Sequence, residues 1–281
     1  MGVNDTLREY LSYGSVIVPL LKVKKIVKPE RIQWGDKNQY FLHYKSPSPK
    51  NDTLVIYIHG GGWNSGSPLQ FHFIGQKIAL EGYDCVMPGY RKSPKYHYED
   101  IVYDIFNGYS EIERYIDENK LSYSKIVIIG SSAGAHLGTI LCTDYEMQKK
   151  HGIDGNKFSG LISLAGPLCF DEPRTFELSK LAGDMFGSKD LSEWKRGEPI
   201  LKLSRGNNTK MLIVQSKHDG IIGFEQAEKF VNCAVELGIS AELYEVTEKH
   251  NTHSLYSAGI FLRKENQSPL LGKVINWIEN M

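Results

Sequence analysis

Gly130-Ser131-Ser132-Ala133-Gly134 sets a serine midway between two glycines, directly after the apolar run Ile126-Val127-Ile128-Ile129. The residues beyond it, Ala135, Leu137, Ile140 and Leu141, carry helical spacing. A serine between a strand and a helix must take strained backbone angles, and flanking glycines relieve the crowding. Its hydroxyl then stands above the strand end, where the helix N-terminus points its free amides. Such a serine suits nucleophilic attack on an acyl carbonyl. The bare pattern is weak, and an ordinary glycine-rich turn is its plainer reading; placement between strand and helix makes it specific. Ser132 is the candidate nucleophile. Ser131, off-centre between the glycines, is the nearby rival.

Attack on an acyl carbonyl needs donors for the oxyanion that develops. His59-Gly60-Gly61-Gly62-Trp63 follows the run Leu54-Val55-Ile56-Tyr57-Ile58. Three successive glycines raise the conformational-entropy cost of folding, and a close approach of backbone to substrate explains the run readily. The amides of Gly61, Gly62 and Ala133 are the candidate oxyanion hole, and removing one such donor typically costs about 3 kcal/mol. A phosphate-cradling turn fits less well, since the G-x-G-x-x-G spacing and a Walker lysine are both absent. His59 is assigned to holding the loop.

A serine needs a histidine to take its proton, and the histidine needs a carboxylate to fix its tautomer. The two glycine motifs resemble those of the α/β-hydrolases, and that resemblance implies the chain order nucleophile, acid, base. Lys217-His218-Asp219-Gly220 comes just after the run Met211-Leu212-Ile213-Val214, which makes Asp219 the candidate acid. Asp184 and Asp190 are poorer candidates, and an exposed Asp-Gly turn is the plainer reading of Asp219. Two histidines, His250 and His253, follow the last strand run and compete as base. A zinc pair from H-x-x-H is a further reading, but no third ligand lies near. His43, His72, His97, His136, His151 and His218 read as surface or packing residues, and Arg91 with Asp104 as a structural pair. The triad chemistry calls for no cofactor and no metal.

His59 to Trp63, Tyr90-Arg91 with Pro94 and Asp104, and Gly130 to Gly134 together resemble the hormone-sensitive-lipase-like esterase branch of the α/β-hydrolases. The sequence is also similar to the related arylformamidases, in which Ser-Ala-Gly-Ala-His (Ser132 to His136) is common. The resemblance runs from about residue 50 to the C-terminus and is most specific at the two glycine motifs. One departure is Glu99, where many relatives carry proline; it is expected to affect a loop and not the chemistry. His253 is followed by Ser254-Leu255-Tyr256, like the His-x-apolar pattern of relatives, and is preferred as base. His250, with its shorter offset from the strand, stays the alternative.

The resemblance implies a carboxylesterase-type serine hydrolase acting on small or medium esters with acetyl or short acyl groups. An arylformamidase or small-amide hydrolase is the alternative with the same chemistry. A hydrolase fold kept only for binding is the alternative of another class, disfavoured because every triad position holds a suitable residue. Sugar O-acetyl esters are a further possibility, since Phe170, Phe176, Phe186 and Trp194 could stack on a ring.

The elements that must position these groups alternate along the chain. The apolar runs at 54–58, 126–129, 161–164 and 211–214 read as strands buried on both faces, with weaker strands at 84–87 and 241–246. Trp34 and residues 40–44 suggest an antiparallel hairpin that opens the sheet. Helical periods fall at 70–81, 99–118, 133–150, 224–237 and 269–280. The fold class is α/β: a single domain with a mostly parallel, doubly wound sheet and helices on both faces. Residues 1–30 and about 166–206 break the alternation and are expected to form a small cap.

Composition agrees with a protein of this kind. A chain of 281 residues can bury a sizeable core. Lys plus Arg and Asp plus Glu both total 33, so no net charge draws nucleic acid or an anionic membrane surface. The expected partner is a small-molecule ester, and oligomeric state is open. Cys85, Cys142, Cys169 and Cys233 lack CxxC spacing and read as core thiols, in keeping with a cytoplasmic home. The apolar stretch 15–23 is too short to span a bilayer, and the acidic and basic residues before it do not make a signal peptide. Met1-Gly2-Val3-Asn4-Asp5-Thr6 matches a loose myristoylation pattern that chance supplies.

Overall fold

The computed structural model describes residues 8–9, 11–12, 23–170, 175–264 and 267–281. Eight strands form one sheet: β1 (Glu30–Gln33), β2 (Tyr40–Tyr44), β3 (Thr53–Ile58), β4 (Asp84–Pro88), β5 (Lys125–Ser131), β6 (Phe158–Leu164), β7 (Lys210–Gln215) and β8 (Ala241–Glu245). Their order is β1-β2-β4-β3-β5-β6-β7-β8. β1 and β2 run antiparallel, β2 is antiparallel to β4, and every later neighbour is parallel. The opening hairpin is therefore present, but its first strand is Glu30–Gln33. Trp34 lies just past it, its amide bonded to Gln39 O in the turn.

The helices are α1 (His72–Leu80), α2 (Tyr98–Glu118), α3 (Ala133–Thr143), α4 (Tyr145–His151), α5 (Phe176–Phe186), α6 (Leu191–Trp194), α7 (Phe224–Glu236), α8 (His253–Ser257) and α9 (Pro269–Glu279). The alternation of side chains along the central strands splits the core into two layers. Ile56, Ile128, Leu161 and Ile213 face one layer with Ile101, Ile105, Tyr109 and Ile112 of α2, Leu137 of α3 and Phe230 of α7. Val55, Val127, Ile162 and Leu212 face the other with Ile74 and Ile78 of α1 and Leu271, Val274 and Ile278 of α9. Each such side chain contributes roughly 1.5–3 kcal/mol when fully buried. This two-sided burial explains why the central strands read as unbroken apolar runs.

The expected helix over 133–150 is two helices. Asp144 breaks it at ψ 85°, and its carboxylate accepts from Met147 N at 3.1 Å to start α4. Cys85, Cys142 and Cys169 are buried as expected of core thiols, whereas Cys233 is only half-buried. Among the described residues no helix is long and apolar enough to cross a membrane. The myristoylation pattern and most of the 1–30 cap segment, including nearly all of 15–23, lie outside the described residues.

Candidate active site

β5 ends at Ser131 and α3 begins at Ala133, so Ser132 is the whole connection. It holds φ 54° and ψ −120°, a left-handed conformation that costs a non-glycine residue roughly 1–3 kcal/mol. Its amide donates to Leu164 O of β6 at 2.8 Å, which pins the turn to the neighbouring strand. The glycines around it answer to the protein's own packing. A Cβ on Gly134 would lie 2.0 Å from Ile58 O, and one on Gly60 would lie 2.7 Å from Ser131 O. The turn after β3 and the turn after β5 thus interlock backbone to backbone. Part of the triple glycine is explained by this contact and not by approach to a substrate.

Ser131 is fully buried and its hydroxyl is engaged. It accepts from Tyr57 Oη at 2.8 Å and donates to Ser257 O at 2.8 Å. That chain of bonds joins β3, the end of β5 and α8. Ser132, by contrast, is partly exposed. Of the two serines, Ser132 is the one in the strained turn, and Ser131 fastens neighbouring elements to it.

His59 is wholly buried, stacked on Tyr90 with ring centroids 4.5 Å apart. Nδ1 donates to Gly60 O at 2.7 Å, which leaves Nε2 as acceptor for Lys92 Nζ at 3.2 Å. Burial, aided by the Lys92 charge, pushes its pKa well below the ordinary histidine value. A neutral His59 therefore braces the glycine loop. Beyond it Trp63 sits at φ 60°, its indole Nε1 donating to His136 Nδ1 at 3.3 Å. His136 Nε2 donates in turn to Gly197 O at 2.8 Å, and burial lowers its pKa to about 4. His136, whose sequence setting suggests a surface or packing role, links α3, the glycine loop and the 166–206 stretch. Leu181 of α5 reaches the same loop, where a Cβ on Gly62 would meet its Cδ2 at 2.9 Å.

Asp219 and His253, far apart in the chain, meet in the interior. His253 Nδ1 lies 2.9 Å from Asp219 Oδ2 and 3.1 Å from Oδ1, and both residues are buried. The carboxylate also accepts from the amides of Ile221 and Ile222 at 2.8 and 2.9 Å, from Gln215 Nε2 at 3.2 Å and from Tyr256 Oη at 2.5 Å. Burial and the Asp219 charge raise the Tyr256 pKa well above its usual value, so the phenol stays a donor. For His253 burial opposes the imidazolium. The Asp219 carboxylate, with the charges of Glu9 and Glu177, outweighs it, and the pKa stands above 6.5. His250 is half-buried, and burial with the charges of Arg263 and Lys249 lowers its pKa. It is His253 that sits on Asp219.

Other residues singled out in the sequence serve mostly in capping, pairing and packing. Asp190 caps α6 through Ser192 N at 2.9 Å, and the Asp184 carbonyl faces His97 Nδ1 at 3.3 Å. Glu99 lies in the first turn of α2, not in a loop, and pairs with Arg196 of the 166–206 stretch at 2.6 Å. The aromatics offered for sugar stacking are mostly core: Phe170, Phe186 and Trp194 are 4%, 3% and 2% exposed, and pack on one another. Phe176, 87% exposed, is the exception of the four. Arg91 and Asp104 do form a pair, Nε to Oδ2 at 2.9 Å, with Asp104 fully buried. Sequence reasoning missed Gln215, Ser257 and Tyr256. Of these only Tyr256 carried a signal, lying one helical turn beyond His253.

Comparison with known proteins adds to this geometry. The BD-FAE family model matches residues 42–233, more than half of the chain. A probable isoprenylcysteine alpha-carbonyl methylesterase of Arabidopsis thaliana is 30% identical over 130 residues, which cover 46% of this chain and 27% of that protein. An acetyl esterase of Salmonella schwarzengrund is 29% identical over 119 residues, 42% of this chain and 36% of that one. The matches therefore span well under two thirds of these relatives' lengths. Among solved structures, esterase B from Lactobacillus rhamnosis superposes with a TM-score of 0.75 over 99% of this chain and 96% of its own, at 16% identity. The Francisella virulence factor BioJ does so with a TM-score of 0.77 over 99% and 93%, at 20% identity. Fold and family match agree: the chain belongs to the BD-FAE family and has the α/β-hydrolase fold.

Proposed function

We propose that the chain is a carboxylic ester hydrolase with Ser132 as nucleophile, His253 as base and Asp219 as the acid that orients it. With Nδ1–H held by Asp219, the remaining basic atom of His253 is Nε2. Nε2 takes the Ser132 proton as Oγ attacks the acyl carbonyl, then returns it to the leaving alkoxide. The amides of Gly61, Gly62 and Ala133 receive the oxyanion, the last as the first amide of α3. Water releases the acyl-enzyme by the same steps, and no cofactor enters. The observation that carries this reading is the buried Asp219–His253 pair, on a helix whose Ser257 carbonyl is bonded to the residue beside Ser132.

Esterase names among the relatives and structural neighbours support the ester as the bond cleaved, with acetyl and short acyl groups as the first substrates to try. His136, which closes the Ser132-to-His136 run that pointed to formamides, bonds Trp63 and Gly197, a packing role that serves either substrate. We assign residues 166–206 to a cap within a single domain. Leu181 against the glycine loop and Thr175 Oγ1, donating to Ile221 O at 2.7 Å beside Asp219, support that. Turnover of p-nitrophenyl acetate by Ser132→Ala tests the proposal. A loss of about 10³-fold or more is expected, and activity near the parent level overturns it. N-formylkynurenine assayed beside the ester separates the formamidase alternative.

A further inference from the structure

Glu9 is distant from the triad in sequence, yet its side chain reaches the backbone of the proposed base. The residue is 2% exposed. Oε2 accepts from His253 N at 2.6 Å, and Oε1 accepts from Ser254 N and Ser254 Oγ, both at 3.0 Å. Ser12 closes the arrangement: its hydroxyl donates to Glu9 O at 2.7 Å and lies 3.1 Å from Ser254 Oγ. Arg8 adds a bond to Asn251 Oδ1 at 3.1 Å.

The local cap is missing where one is normally found. Thr252 precedes α8 with the extended angles of an N-cap, φ −80° and ψ 154°, but its side chain makes no capping bond. Its Oγ1 is buried without a partner among the described residues. An N-cap hydroxyl ordinarily accepts one of the first free amides of a helix. Here two of those amides, including that of the base itself, are taken by a carboxylate from residue 9. A buried carboxylate is expensive unless several donors compensate it, and among the described residues three do so here.

We propose that Glu9 is a positioning residue for the base, fixing the His253 backbone so that its ring stays on Asp219, and favouring the imidazolium formed as Ser132 attacks. This rests on the reading of His253 as base. Asp219 holds the ring and Glu9 holds the main chain, so rotation of the side chain and movement of its helix are restrained separately. The ionisable groups that act on the ring are Asp219, Glu9 and Glu177, with the Tyr256 phenol bonded to Asp219. The three carboxylates favour the charged ring. Loss of Glu9 therefore moves the His253 pKa down.

The test compares Glu9→Gln and Glu9→Ala with the parent full-length chain, on p-nitrophenyl acetate between about pH 5 and 9. Glutamine removes the charge and keeps one of the two acceptor oxygens, so one backbone amide retains its bond; alanine removes the charge and both acceptors. For Glu9→Gln we expect kcat lower by about tenfold, KM within about twofold, and the acid limb of kcat/KM at lower pH. Glu9→Ala should lose more. Parent kcat with an unmoved acid limb in a folded Glu9→Gln overturns the proposal. So does a loss of activity that follows only the folded fraction. His253→Ala, run in parallel, separates the failures. If it remains active, the base is misassigned and Glu9 falls with it; if it is inactive while Glu9→Gln is unchanged, the Glu9 role alone is wrong.

Discussion

His253 Nδ1 lies 2.9 Å from one Asp219 oxygen and 3.1 Å from the other, and four further donors hold that carboxylate in place. Nothing in this arrangement lets the carboxylate rotate without breaking bonds to its own loop. The ring is consequently oriented by a group that is itself fixed on every side.

One consequence concerns pH. The His253 pKa is raised above 6.5 because the nearby carboxylates outweigh burial. A base works only when neutral, so activity is lost as pH falls through that raised value. The acid limb of kcat/KM should therefore have its midpoint above 6.5. Asp219→Asn removes the main charge that favours the imidazolium. It should lower the midpoint and reduce kcat by about 10⁴-fold, read from initial rates across the pH range.

Ser131 and Ser132 should separate cleanly. Ser131→Ala leaves the Tyr57 hydroxyl and the Ser257 carbonyl without their buried partner, a loss of about 1–3 kcal/mol. Thermal or urea unfolding should register it. Turnover should stay within about tenfold of the parent, since the hydroxyl is structural.

His136→Ala should be the more damaging structural change. It strands the Trp63 indole N–H and the Gly197 carbonyl and leaves a cavity beside the glycine loop. About 2–4 kcal/mol of stability should be lost, measured by denaturant unfolding. Because burial holds the His136 pKa down near 4, its contribution should not change between about pH 6 and 8.

Much of this molecule is legible in its sequence, for identifiable reasons. The central strands are buried on both faces, so Val55 to Ile58, Ile126 to Ile129 and Met211 to Val214 carry an apolar signal that turns cannot imitate. Ser132 and the glycine loop are local motifs, and local motifs survive in sequence. The break at Asp144 was missed because helical spacing continues across it, while one side chain capping α4 ends the pattern. The buried aromatics at 166–206 misled because burial of a loop-rich segment has no period to read. Glu9 reaches the site through the distant amides of His253 and Ser254, and Ser257 through its own carbonyl, which accepts from the Ser131 hydroxyl. Contacts of that kind leave no spacing for a sequence to display.

The proposed triad requires one activated hydroxyl, that of Ser132. A fluorophosphonate probe, followed by digestion and fragment-ion sequencing, reports which hydroxyl has been activated. We expect one adduct, on Ser132, and none on the adjacent Ser131. Labelling should disappear in Ser132→Ala and fall sharply in His253→Ala. An unreactive parent protein, or an adduct on any other residue, would contradict it.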